Sequence, residues 1–434
     1  MTDTASGSGA STTVHLAYGE DGLDVQLPAD RTTVVEPTYA AAPDDQAGLL
    51  REALRRPVAG PPLRELVRPG QTVAISMCDG TRPQPRHLMI PAVLEELDGI
   101  VDLADVVVLV ATGTHRGNTD AEIRAMLGEV ADQVRVVNHD ARDDASLVWL
   151  GRHGRDVPVF LNRLWVEADV RITTGFVEPH FFAGFSGGPK LVAPGLAGLE
   201  TVLTLHDAQR IGSDRATWAV VEGNPVHDDI RAVVAAVGDV DFGLDVVLNR
   251  EQGIVEAFGG RLPEMHAAAR AASQRLAMQP VPSLFDVVVT TNAGYPLDQN
   301  LYQAVKGMSA GMTVVRPGGT IVCAAECRDG FPDHGSYREV LASEPSPEAL
   351  LATISARERT VPDQWQVQVQ AKVQAHADVV VHSAYLSAPD LASAHLGHTD
   401  DVAETVLRAL HDAGPGSRVC VLPEGPQTIP YVTP

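Results

Sequence analysis

The 434 residues exceed the size at which a single hydrophobic core stops growing, so two or more domains are expected. With 44% hydrophobic and 21% charged residues, the composition is that of an ordinary soluble globular protein. The formal net charge of −23 argues against nucleic acid or an anionic membrane as the main partner, although a few local cations can still dominate a pocket for an anionic substrate.

Residues 1–13 are rich in Ser, Thr, Gly and Ala, lack the basic-then-apolar pattern of a signal peptide, and are expected to form a disordered tail. No apolar run reaches the ~18 residues of a membrane span. Short β-branched runs at Thr72–Met77, Val106–Val110, Val170–Thr174, Asp286–Thr290 and Ala377–His382 predict strands buried on both faces, as in a parallel sheet. Helical patterns alternate with them: Pro85–Leu97, a helix opened by the capping box Thr119-Asp-Ala-Glu122, then Pro263–Ala277 and Asp298–Met308. That alternation implies an α/β architecture. The stretch Gln279-Pro-Val-Pro-Ser283 reads as a linker. It gives an N-terminal domain at 14–275 and a C-terminal domain at 276–434, each with a largely parallel sheet flanked by helices and with the active site in the cleft between them. The polar, proline-containing segment 326–362 yields no definite element. Four cysteines (Cys78, Cys323, Cys327 and Cys420) form no CxxC pair and read as buried thiols, which fits a reducing cytoplasm.

Ligands bind at the carboxyl ends of strands in such sheets, and four predicted strands end in polar motifs. The first leads into Asp79-Gly-Thr-Arg82-Pro, the second into Thr112-Gly-Thr-His115-Arg116. The third leads into Glu178-Pro-His180-Phe-Phe-Ala-Gly184-Phe-Ser186-Gly187-Gly188-Pro-Lys190, and the fourth into Gly294-Tyr-Pro-Leu-Asp-Gln-Asn-Leu-Tyr302-Gln303-Ala-Val-Lys306-Gly. The glycine loop lacks the Gly-Lys-Ser/Thr ending of a phosphate loop, and no GxGxxG follows a strand. Alone it reads first as a tight turn. Most of the fifteen histidines must be incidental, but His115 and His180 each follow an apolar strand, and such a pair can act as acid and base on opposite faces of one carbon. His206 lies in a helical context. Arg82 can hold a carboxylate through two parallel hydrogen bonds, and Asp79, three residues earlier, can orient Arg82 or His115. Tyr302, Gln303 and Lys306 share one face near a helix start. Trp365, in Asp-Gln-Trp-Gln-Val-Gln, packs in the core or walls a pocket.

Together these motifs, with His206, Asp363-Gln-Trp365 and the ending Leu422-Pro-Glu-Gly-Pro-Gln-Thr-Ile-Pro430, resemble the nickel-dependent lactate racemase family over nearly the whole chain after the tail. The resemblance implies a tethered nickel-pincer nucleotide, the nickel form of pyridinium-3-thioamide-5-thiocarboxylic acid mononucleotide. Lys190 would be the covalent tether and His206 the protein ligand to nickel, with Ser186, Gly187 and Gly188 lying along the nucleotide. His115 and His180 would be the catalytic acid/bases, supported by Asp79. Arg82, Tyr302, Gln303 and Lys306 would hold the substrate carboxylate, and Trp365 would line the pocket. The implied activity is racemisation or epimerisation at C2 of a 2-hydroxy acid by reversible hydride transfer through a 2-oxo acid. Cofactor-maturation enzymes would be transient partners and the cytoplasm the compartment. Three alternatives stay open: a C2-epimerase of a longer sugar acid, a non-catalytic nickel or cofactor carrier, and a phosphate-binding enzyme using the glycine loop.

Overall fold

A computed structural model describes residues 10–333 and 335–433. The chain divides into two units: Thr38–Leu276, and the residues up to Pro37 together with those from Ala277 onward.

The Thr38–Leu276 unit is built on six strands. From edge to edge they are Ile254–Gly260, Phe242–Leu248, Val170–Phe176, Val73–Cys78, Val106–Ala111 and Arg135–Asn138. Only the first pair is antiparallel. All six side chains of Val73–Cys78 are buried, as expected of a central strand covered on both faces. Met89, Ile90, Val93 and Leu97 of the helix Arg86–Leu97 pack with Ile75, Met77, Val108 and Ile172 of the sheet in one core. The helix Asp120–Leu127 starts as its sequence dictates, with Thr119 and Glu122 completing both halves of the capping box. An antiparallel hairpin at Leu147–His153 and Val157–Asn162, not anticipated from the sequence, also belongs to this unit.

The second unit is an all-parallel sheet in the order Gly397–His398, Asp378–His382, Val315–Ala324, Phe285–Thr291, Val419–Leu422 and Thr32–Val34. The last strand corrects the expected domain limits, because residues 14–37 belong with the C-terminal half. The reason is physical. Thr32–Val34 hydrogen-bonds to Val419–Val421 as an edge strand, and the hairpin of Ser11–Leu16 with Leu23–Pro28 buries Val14, Leu16, Val25 and Leu27 against Val287, Val289, Val406 and Leu410. The expected tail does not extend through residue 13: Ser11, Thr12 and Thr13 are strand residues, and 1–9 lie outside the described residues.

The expected linker is also ordered structure, since Met278–Val281 pairs in parallel with Ile429–Val432. Segment 326–362 contains two helices, Tyr337–Leu341 and Pro347–Ala356. All four cysteines are buried free thiols. Among the described residues no helix is long and apolar enough to cross a membrane.

Candidate active site

Parallel strands deliver their carboxyl ends to one edge of the sheet. In the Thr38–Leu276 unit, three of those ends lead into the residues singled out above. Asp79 directly follows Val73–Cys78. The buried guanidinium of Arg86 shapes the turn beyond it, donating to the carbonyls of Cys78 (2.8 Å), Arg82 (2.7 Å), Gln84 (2.9 Å) and Asp79. Sequence reasoning missed Arg86. Its signal was an arginine opening an otherwise apolar helix. The turn leaves Arg82 exposed and Asp79 buried.

His115 closes the loop after Val106–Ala111, and its Nδ1 lies 2.6 Å from Asp79 Oδ2. Burial alone would raise the Asp79 pKa, but hydrogen bonds from His115 and Thr81 and the charge of Arg82 outweigh it and hold the carboxylate below its ordinary range. The ring proton is thereby assigned to Nδ1, leaving Nε2 to face outward.

His180 has the opposite tautomer. Its Nδ1 accepts long bonds from the backbone N–H groups of Phe182 (3.4 Å) and Ala183 (3.3 Å), so in the neutral ring the proton sits on Nε2. Phe182 is edge-on to His180 at 4.5 Å and to His206 at 5.4 Å, ring centre to ring centre.

His206 ends the helix Leu199–Leu205, and its Nδ1 donates to the Val202 carbonyl at 2.7 Å. Burial, aided by the charge of Lys190 and opposed by the bond to the Val202 carbonyl, lowers its pKa to about 4. The imidazole is therefore neutral, with its lone pair on Nε2.

Lys190 is half-buried in the short turn Gly188–Leu191, which the cradle Ser186-Gly187-Gly188 leads into. Gly187 has φ +70°, and a Cβ there would lie 2.7 Å from the Phe176 carbonyl oxygen, so only glycine fits. The Ser186 hydroxyl is committed within the protein, donating to Phe176 O (3.0 Å) and accepting from Glu178 N–H (2.9 Å). A bond from Gly113 N–H to the Gly195 carbonyl (2.9 Å) ties the His115 loop to the segment after Lys190, where Gly195 N–H bonds the Lys190 carbonyl (3.1 Å). Two further buried groups, unanticipated from sequence, hold the cradle: Asp245 and His266. Among the described residues no cluster of three or more His, Cys, Asp or Glu could hold a metal ion.

In the other unit, the fourth motif follows Phe285–Thr291. The helix begins at Leu301 rather than 298, with Asn300 as its cap. Asp298 is drawn out of the helix because its carboxylate accepts the N–H groups of Gly19 (2.9 Å) and Glu326 (3.0 Å). Lys306 Nζ donates to Gln303 Oε1 at 2.8 Å, and Trp365 Nε1 donates to the Tyr302 hydroxyl at 3.1 Å, so the four expected residues form two bonded pairs on this unit.

Comparison with known proteins matches residues 18–219 to the lactate racemase N-terminal domain and residues 281–429 to the lactate racemase C-terminal domain. Curated relatives include a lactate racemase of Thermoanaerobacterium thermosaccharolyticum, 32% identical over 96% of this chain and 98% of its own length. Another, of Lactiplantibacillus plantarum, is 32% identical over 92% and 98%. The solved lactate racemase apoprotein from T. thermosaccharolyticum superposes with a TM-score of 0.91 at 31% identity, covering 96% of this chain and all of that one. A Thermotoga maritima crystal structure shares the fold, with a TM-score of 0.63 at 18% identity over 91% of this chain and all of its own.

Proposed function

This chain belongs to the lactate racemase family, and from that premise we propose that it inverts C2 of a lactate-like 2-hydroxy acid. It is an isomerase of the racemase type. One observation carries the reading furthest. A bare glycine turn presents a half-buried lysine within electrostatic reach of a buried, neutral imidazole, on the strand edge that also bears His115 and His180.

These residues fit a nickel-pincer nucleotide. Lys190 supplies an amine on a turn that the close packing of Gly187 and Gly188 holds tight, and His206 supplies a nitrogen donor that suits nickel alongside softer sulfur ligands. Lys190 would carry the group, and His206 would ligate its metal. When bound, the group supplies an acceptor for the C2 hydride.

The remaining work falls to the chain's own side chains. His115 accepts the hydroxyl proton at Nε2, and Asp79 stabilises the imidazolium that results. His180 gives a proton from Nε2 as an imidazolium and takes one there as the Nδ1–H tautomer; both forms carry a proton on Nδ1 and so release the Phe182 and Ala183 N–H groups, whose bonds of 3.3–3.4 Å are weak enough to open. Inversion needs two such groups because the hydroxyl points to opposite sides in the two enantiomers. Arg82, Lys306 and Gln303, with Tyr302, hold the substrate carboxylate, and Trp365 orients Tyr302. Anchoring the carboxylate keeps C2 in register while the rest of the molecule turns over. The substrate is a small 2-hydroxy acid, the transient partners are cofactor-maturation enzymes, and the compartment is cytoplasmic.

The test is peptide mass spectrometry across Lys190 after maturation with nickel and the cofactor-assembly enzymes, followed by racemisation in deuterated water. An adduct on Lys190 and a product without deuterium at C2 are expected. An unmodified Lys190, in a preparation where a known family member is modified, would favour a carrier. Full exchange at C2 would eliminate hydride transfer.

A further inference from the structure

Asp245 is an acid where the fold alone asks for none. It stands within the strand Phe242–Leu248, whose other side chains are apolar apart from Gly243, and it is completely buried. Its register partner on the neighbouring strand is Gly175, where a Cβ would come within 2.8 Å of Asp245 Oδ1, so glycine makes room for the carboxyl. Oδ2 accepts the backbone N–H of Gly188 at 2.8 Å, while Oδ1 is buried without a hydrogen-bond partner among the described residues. Burial pushes its pKa up to about 7, opposed by the Gly188 bond. A half-satisfied buried carboxyl weakens a fold.

What Asp245 holds is the cradle. His266, also buried, bonds the Ser186 carbonyl through Nε2 at 2.9 Å, with its ring stacked on His227. The carboxyl therefore grips the turn at the amide of residue 188, and the imidazole grips it at the carbonyl of 186. A Cβ on Gly188 would lie 2.5 Å from the His266 ring, which shows how closely the turn is pressed. Lys190 follows two residues later, its own N–H bonded to the Gly187 carbonyl at 3.1 Å. No flexible segment separates the gripped amide from the lysine.

We propose that Asp245 is a positioning residue for Lys190, fixing the Gly187–Gly188 turn so that the lysine amine is aimed at the cofactor. The proposal rests on the cofactor-carrying role given to Lys190 above. Asp245 touches neither substrate nor cofactor and acts only through the backbone.

The chain has three lysines, Lys190, Lys306 and Lys372, so an amine-acylating ester can read Lys190 in the cofactor-free protein against two internal references. Asp245→Asn keeps an acceptor of the same shape. Asp245→Ala removes it, and Asp245→Leu removes it while filling the space, should the alanine variant fail to fold. Labelling of Lys190 relative to Lys306 and Lys372 is expected to shift in the Ala and Leu variants and to stay at wild type in Asn. After maturation, the Ala and Leu variants are expected to carry about 10- to 100-fold less adduct on Lys190, the size usual for loss of a supporting interaction. Wild-type labelling and wild-type adduct levels in a folded Leu variant would overturn the proposal. A labelling shift in a protein whose wild type acquires no adduct would instead refute the cofactor reading and leave the positioning intact.

Discussion

The carboxylate of Asp79 meets the Nδ1 of His115 at 2.6 Å, pairing a side chain 4% exposed with one 46% exposed. The buried member is the fixed one, so it sets the ring's orientation and its proton. Asp79→Asn keeps the shape but removes the charge that stabilises the imidazolium. A loss of about 10²-fold or more in kcat, with KM changed only a few-fold, is expected from the usual size of general acid–base effects. Polarimetry from each pure enantiomer measures it, and the fall in kcat/KM must be the same in both directions because the enantiomers are equal in free energy. An unchanged kcat would remove Asp79 from the proton path.

Substitution at Gly187 tests the cradle. Alanine there must hold φ +70° and place its Cβ 2.7 Å from the Phe176 carbonyl. The left-handed conformation alone costs about 1–2 kcal/mol, and the contact adds to it. Urea unfolding of Gly187→Ala is expected to show at least that loss, accompanied by loss of the Lys190 adduct.

The Lys306–Gln303 pair predicts a binding defect. Removing a charged hydrogen-bond donor costs about 1.5–3 kcal/mol, or roughly 10- to 100-fold in kcat/KM. Lys306→Met should show this loss mostly in KM, as expected if the lysine binds ground and transition states alike. Trp365→Phe, which loses the 3.1 Å bond to Tyr302, should show a smaller effect in the same assay.

Acid lability is built into the buried imidazoles. Burial lowers His206 and His227 to about 4 and His266 to about 3, while the unfolded chain titrates near 6.5. Above about 6.5 these residues are neutral in both states. As the pH falls below that, the unfolded chain takes up protons that the fold refuses, and stability is lost until the folded values are reached. Asp245 works in the opposite sense: raised to about 7, it favours the fold below about 4, and this contribution disappears as pH rises to 7. His139, also lowered by burial, adds to them, and the imidazoles together outweigh the one carboxyl and give a net loss on acidification. Denaturant midpoints of the cofactor-free protein should fall from pH 7 to pH 5, and less steeply in His266→Gln. A flat profile would contradict the neutral assignments.

The strands were legible because each is a short run rich in β-branched residues, and Val73–Cys78, Val106–Ala111 and Val170–Phe176 lie within two residues of their expected limits. The sequence also displayed the polar strand ends. It hid whatever long-range pairing decides. Met278–Val281 contains a proline and looks like a linker, yet it is held as a strand by residues at the far end of the chain. Asp298 looks like a helix start, but distant N–H groups claim its carboxylate. Asp245 left one trace, a lone acid in an apolar strand, and His266 left none, because a histidine on a helix is commonplace.

The edge strand Thr32–Val34 has a consequence for how the molecule is made. During synthesis the hairpin and this strand emerge before Thr38–Leu276, but Val419–Leu422, the partner the strand needs, emerges only after the whole of it. The larger unit has every one of its strands in one continuous stretch and can close while the ribosome is still translating. The smaller unit must keep the apolar faces of Val14, Leu16, Val25 and Leu27 waiting until the strand Val419–Leu422 has emerged. Nascent chains stalled before residue 419 should therefore carry a protease-resistant larger unit and a cleavable N-terminal segment.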